Sequence, residues 1–94
     1  MIVRHYIVKG RVQGVGFRWF VLQEASGLGL HGWVRNTSAG YVEVMAAGDE
    51  SQILQLEQRL RRGSRGSRVD AVEVEVRPET DADLLKPFEI EGAW

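Results

Sequence analysis

Apolar and polar positions change period along the chain, and each change marks an element. Over residues 4–12, Tyr6, Val8 and Val12 alternate with His5, Lys9 and Arg11, the two-residue period of a half-buried strand. The segment Gly10-Arg11-Val12-Gln13-Gly14-Val15-Gly16 reads as a loop, because its three glycines in seven residues reach backbone angles closed to other residues. From Phe17 the apolar positions fall at 17, 20, 21, 25 and 28, one stripe of an amphipathic helix weakened at its end by Gly27 and Gly29 and expected over about 17–28. Residues 30–36 and 41–47 alternate again, and Asn36-Thr37-Ser38-Ala39-Gly40 between them has the composition and length of a hairpin loop. Asp49 and Gln52 form a capping-box pattern, Ile53, Leu56 and Leu60 share a helical face, and Gly63 ends a second helix expected over about 50–62. Val72, Val74 and Val76 alternate with Glu73 and Glu75 in a fourth strand, and after the polar stretch 78–87, Phe88 and Ile90 mark a short last strand.

This order, βαββαβ plus a terminal strand, predicts an α+β, ferredoxin-like sandwich with two helices on one face of an antiparallel sheet. Ninety-four residues make one domain's worth of chain, so residues 1–94 are expected to form a single domain. With 44% hydrophobic and 27% charged residues the composition is that of a globular protein rather than a disordered one. Twelve basic residues against thirteen acidic ones leave a net charge of -1, so no global field draws the chain to nucleic acid or membrane, and any anion site must be local. The absence of Cys removes disulfides, thiolate nucleophiles and Cys-based metal sites. Basic residues interrupt the apolar N-terminus before a signal-peptide core forms and no stretch reaches membrane-span length, so a cytoplasmic monomer is expected.

The stretch Gly10 to Arg18, GRVQGVGFR, joins a strand to a helix start through glycines and puts Arg18 in the first helical turn. Backbone N–H groups there lack intrahelical partners and the helix dipole favours an anion. A nucleotide P-loop is excluded because Phe17, Arg18 and Trp19 follow Gly16 where Lys and Ser/Thr are needed, and a dinucleotide fingerprint is excluded because Trp19 stands where its third glycine belongs. On these grounds alone the segment is either a tight connection or a phosphate cradle.

GRVQGVGFR, followed by Leu28-Gly29-Leu30-His31-Gly32-Trp33-Val34-Arg35-Asn36 and Gly40-Tyr41-Val42-Glu43, resembles the acylphosphatase family in order and spacing over essentially the whole chain. The resemblance implies small acyl phosphates as substrates, inorganic phosphate as product or inhibitor, and no cofactor or metal. It also implies that Arg18 binds the phosphoryl group and Asn36 holds the attacking water. Beside it, a bottom-up reading lets N–H donors from Gln13, Gly14, Val15, Gly16, Phe17 and Arg18, with the Arg18 guanidinium, match three phosphoryl oxygens, while Asn36 orients water in line. A carboxylate leaving group needs no protein acid. The chain departs from the family's usual wording at Ala39, where an acidic residue is common, and at Glu91-Gly92-Ala93-Trp94.

Other readings of the same residues are plainer. Arg18 alone reads as a solvated helix-start charge, and Asn36 alone as a side chain substituting for a backbone turn. His5 and His31, in different strands without clustered acids, read as strand residues rather than metal ligands. The run Arg59 to Arg68 holds five Arg and no acid and reads as a solvated helix end, carried by the element order away from the glycine loop. Trp33 reads as packing. An RNA-recognition module shares the element order but needs an aromatic signature on strand three, and Tyr41 to Ala47 carry no Phe pair and no basic residue. The acylphosphatase-like segment of hydrogenase-maturation carbamoyltransferases is a second rival, set aside because those chains continue far beyond residue 94.

Overall fold

The computed structural model describes residues 1–92; Ala93 and Trp94, which end the C-terminal departure noted above, lie outside the described residues. Its elements run β1 (Ile2–Arg11), α1 (Phe17–Gly27), β2 (His31–Asn36), β3 (Val42–Gly48), α2 (Glu50–Arg62), β4 (Arg68–Arg77), a short 3-10 helix (Glu79–Leu84) and β5 (Glu89–Ile90). The strands form one sheet in the order β4-β1-β3-β2-β5. The β1–β3, β1–β4 and β2–β3 pairings are antiparallel, as the element order predicts, while β5 adds a parallel edge beside β2, with Trp33 opposite Glu89 and Val34 opposite Ile90.

One face of the sheet carries the core. Tyr6, Val8, Val34, Val42, Val44 and Ala46 meet Phe17, Val21 and Ala25 of α1 and Ile53, Leu56 and Leu60 of α2, all buried in one cluster. The helices are tied where α1 ends and α2 begins: Gln52 Nε2 donates to the Leu28 carbonyl at 2.7 Å, and Gln52 Oε1 accepts from the Asp49 N–H at 2.8 Å. The second contact is the reach-back half of a capping box, so one side chain starts a helix and ends another.

Two expectations change. The first strand begins earlier than residue 4, and Val3 is fully buried on the other face, opposite Ala47, where the 79–84 helix packs on β1. The apolar face expected of β4 is only partly covered, Val74 being 40% and Val76 70% exposed. β4 is an edge strand, and its alternating glutamates keep that edge polar.

The face away from the helices holds a charge network. His5 Nε2 lies 2.6 Å from Glu43 Oε2, Arg35 Nε donates to Glu43 Oε1 at 2.7 Å, and Arg35 Nη1 donates to Glu91 Oε1 at 2.9 Å. The Arg35 guanidinium also stands over the Trp33 ring, 4.5 Å from its centroid. Burial by itself pushes the Glu43 carboxyl up, but the hydrogen bonds from His5 and Arg35, with their charges, outweigh it and hold the group below its ordinary 4.5.

Two outcomes follow for stability. A Cβ at Gly32, where φ is +141°, would land on the Met45 carbonyl of the neighbouring strand, whereas one at Gly40, φ +90°, meets nothing. Gly32→Ala is therefore expected to cost on the order of 3 kcal/mol or more in urea unfolding, and Gly40→Ala about 1 kcal/mol from its left-handed backbone alone. Because Glu43's folded pKa is depressed, its contribution is present above its unfolded pKa and is lost as pH falls through the folded value. Glu43→Gln is expected to lose less stability than wild type when the unfolding midpoint is compared at about pH 7 and about pH 3; an unchanged pH dependence would remove Glu43 from the acid response.

Candidate functional site

The glycine loop is shaped by residues that alternate between anchoring and opening. β1 shifts register between Lys9 and Gly10, and Gly10, at φ +136°, lies so close to β4 that a side chain would strike the Arg68 carbonyl. Val12 and Phe17 are buried and Val15 packs against the core, which holds the loop from beneath. Gly14 and Gly16 between them take left-handed angles, φ +73° and +75°, with open space where a Cβ would stand. Backbone turned through such angles brings successive N–H groups to one side, the concave arrangement that suits an anion.

Gln13 has its side chain turned elsewhere. Its Nε2 donates to the carbonyls of Thr37 at 2.9 Å and Tyr41 at 2.8 Å, clamping the loop to the β2–β3 hairpin. The hairpin closes on itself through Thr37, whose N–H donates to Tyr41 O at 2.9 Å and whose Oγ1 accepts from the Tyr41 N–H at 3.2 Å. Thr37 thus does the work that a turn-forming Asn36 side chain would have done, and Asn36, paired with Val42 at the end of β2, is free of it.

Arg18 and Asn36 come together at one cavity of about 160 Å³, lined by Val12, Gly14, Gly16, Phe17, Arg18, Trp19, Asn36 and Ile90. Of the loop residues expected to cradle phosphate, Gly14, Gly16, Phe17 and Arg18 line it; Gln13 and Val15 do not. Among the described residues, Arg18 Nη1 and Asn36 Oδ1 are both buried without a hydrogen-bond partner. A buried donor on a charged group and a buried acceptor are each costly to leave unpaired, and here both belong to one concavity. α1 adds to this: Gly16 caps it without a side-chain hydrogen bond and its first turn carries no acidic residue, so the helix itself supplies no negative charge to answer its positive end.

Two side chains of the cavity, Trp19 and Ile90, escaped the sequence reading, and one outside its lining, Gln13, has a different role from the one expected. Trp19 stands off the apolar stripe of α1, a visible but unspecific signal. Ile90 reaches the cavity only through the parallel pairing of β5 with β2, which no local pattern reports. Gln13 was placed with the phosphate donors, and nothing local marks it as a clamp.

The basic run needs correcting. β4 runs antiparallel to β1 with Arg68 opposite Arg11, so the end of α2 and the turn after it return to the same end of the sheet as the glycine loop rather than away from it. In space the run is also not acid-free: Arg59 and Arg62 approach Glu24 at 3.8 and 3.7 Å, Arg61 lies 4.0 Å from Glu57, and Arg68 is 3.1 Å from Asp70. His31 Nδ1 lies 3.5 Å from the Leu85 carbonyl and His5 is bound to Glu43. Among the described residues no group of three or more His, Cys, Asp or Glu is placed to hold a metal, and no helix is long and apolar enough to cross a membrane.

Comparison with known proteins identifies the family. The family model described as Acylphosphatase matches residues 4–90. An acylphosphatase of Koribacter versatilis is 56% identical over 92 residues, covering 97% of this chain and 81% of that one. The crystal structure of acylphosphatase from Bacillus subtilis superposes with a TM-score of 0.91 at 37% identity, covering 98% of this chain and 100% of that chain. Full-length HypF in its phosphate- and nucleotide-bound form matches with a TM-score of 0.81 at 33% identity, covering 97% of this chain but 12% of its own. With the match running through the glycine loop, both helices and the β2–β3 hairpin, the chain belongs to the acylphosphatase family of hydrolases, which cleave acyl phosphates.

Proposed function

We propose that the cavity between the glycine loop and the end of β2 binds the phosphoryl group of a small acyl phosphate and directs water onto its phosphorus. The observation that carries this reading is the pair of buried atoms, Arg18 Nη1 and Asn36 Oδ1, that find no partner among the described residues and share one concavity at the start of α1. Arg18 presents a fork of donors to two phosphoryl oxygens, and backbone N–H groups of Gly14, Gly16, Phe17 and Arg18, the loop residues that line the cavity, receive the remaining charge. Asn36 Oδ1 accepts a hydrogen bond from water and orients its oxygen in line with the bond to be broken. The water oxygen bonds to phosphorus as the bond from phosphorus to the acyl oxygen breaks. The carboxylate leaves with the electron pair, and the water's proton passes to a non-bridging phosphoryl oxygen. A carboxylate is stable at neutral pH, so the step asks for positioning and charge stabilisation and for no cofactor or metal. In this reading residues 1–94 act as one domain and as a cytoplasmic monomer, since every group the step uses comes from one chain. Its partners are acyl phosphate and inorganic phosphate, without nucleic acid or membrane.

Phosphate release from benzoyl phosphate, with and without chelator, tests the reading directly. Arg18→Lys is expected to lose on the order of a hundredfold in kcat/KM, nearly as much as Arg18→Ala, because an ammonium replaces the fork with a point charge. Near-full activity in the Lys variant would reduce Arg18 to a source of positive potential.

Asn36→Ala is expected to lower kcat far more than it weakens inhibition by inorganic phosphate, because the held water matters in the transition state and the anion's contacts lie elsewhere. Asn36→Asp, nearly isosteric, places a negative charge beside the phosphoryl group and should be impaired as well. Should Asn36→Ala weaken phosphate affinity and spare kcat, Asn36 belongs to the cradle instead.

A further inference from the structure

The polar residues of the cavity account for a phosphoryl group but not for the acyl group attached to it. Trp19 is the unexplained member of the lining. It lies in the first turn of α1 directly after Arg18, it is 59% exposed, and it stands off the face that buries Phe17, Val21 and Ala25. Among the described residues it makes no aromatic or cation-π pairing, whereas Phe17 stacks on Phe20, Tyr41 lies under Lys9 and Trp33 lies under Arg35. A large indole that lines a binding cavity and is more than half exposed presents a flat apolar face to whatever enters it. Ile90, half-buried, adds a second apolar side chain to the same lining.

The chemistry of the step says where the acyl group must go. An in-line displacement directs the leaving oxygen away from the attacking water, hence away from Asn36. Of the apolar residues in the described lining, Val12 and Phe17 are buried and Ile90 half-buried, so Trp19, on a different element from Asn36, offers the exposed apolar surface to an acyl substituent. We infer that Trp19 is an acyl-group platform, and that this chain takes acyl phosphates with a flat apolar acyl group, aryl carboxylates above all, in preference to small aliphatic ones. The preference comes from apolar area removed from water and from ring-on-ring contact, neither of which an acetyl group offers to the same extent. This inference rests on reading the cavity as the acyl phosphate site.

The test compares kcat/KM for benzoyl phosphate and acetyl phosphate in wild type, Trp19→Ala and Trp19→Phe. The benzoyl-to-acetyl ratio is expected to exceed one in wild type, to fall about tenfold in Trp19→Ala, and to stay within about threefold of wild type in Trp19→Phe. The exposure of Trp19 makes a folding defect in the Ala variant an unneeded complication, and retention of the ratio by the Phe variant separates a stacking role from bulk structural damage. If wild type hydrolyses both substrates and the ratio is the same in all three proteins, the platform is wrong and the hydrolytic site stands. If wild type hydrolyses neither, the reading of the site falls and the platform with it.

Discussion

The Gln13 carboxamide is the joint on which the site depends. Its two hydrogen bonds, to Thr37 O and Tyr41 O, connect a loop between β1 and α1 with a hairpin between β2 and β3 that lies more than twenty residues further along the chain. Without that clamp the loop's glycines, which have no side chains of their own to pack, would be freer to take other backbone states. With it, Arg18 on the helix side and Asn36 on the strand side face one cavity at a set separation. Val12, Val15 and Phe17 complete the constraint from below, so the concavity is held by core packing on one side and by two backbone carbonyls on the other.

The charges are arranged with the same economy. Several cations elsewhere in the molecule find carboxylates: Lys9 lies 2.8 Å from Glu73, Arg77 2.9 Å from Glu75, and Arg35 bonds both Glu43 and Glu91. Arg18 is held instead at the positive end of a helix, where its charge adds to the dipole rather than opposing it. A net charge of -1 spread over such matched pairs gives little long-range field, which leaves the local concentration of donors at the start of α1 as the feature an anion would respond to.

The far face of the sheet contributes at a distance. Arg35, next to Asn36 in β2, is gripped by Glu43 of the adjacent strand and by Glu91 just after β5. The second contact, with the Glu91 N–H donating to Val34 O at 2.9 Å, secures the C-terminal segment along β2 and so keeps Ile90 in the cavity wall. One residue's ion pairs thus serve both the strand that carries Asn36 and the segment that borders it.

The periodicities determined the elements. Alternation gave the strands, the stripe at 17, 20, 21 and 25 gave α1, and the stripe at 53, 56 and 60 with its capping box gave α2; these signals are local, set by which face of a helix or strand must leave water. The motifs around Gly14 to Arg18 and Val34 to Asn36 marked both halves of the candidate site and, through their resemblance, its family. Tertiary structure alone decided the rest. The side of the sheet to which the Arg68 end of the basic run returns, the exposure of Val74 and Val76, the turn of the Gln13 side chain toward the hairpin and the arrival of Ile90 beside Trp19 all depend on strand order and on pairings between distant residues. A residue's own neighbours report its period and its turn chemistry, but its partners across a sheet are chosen by the fold, and no local pattern carries that choice.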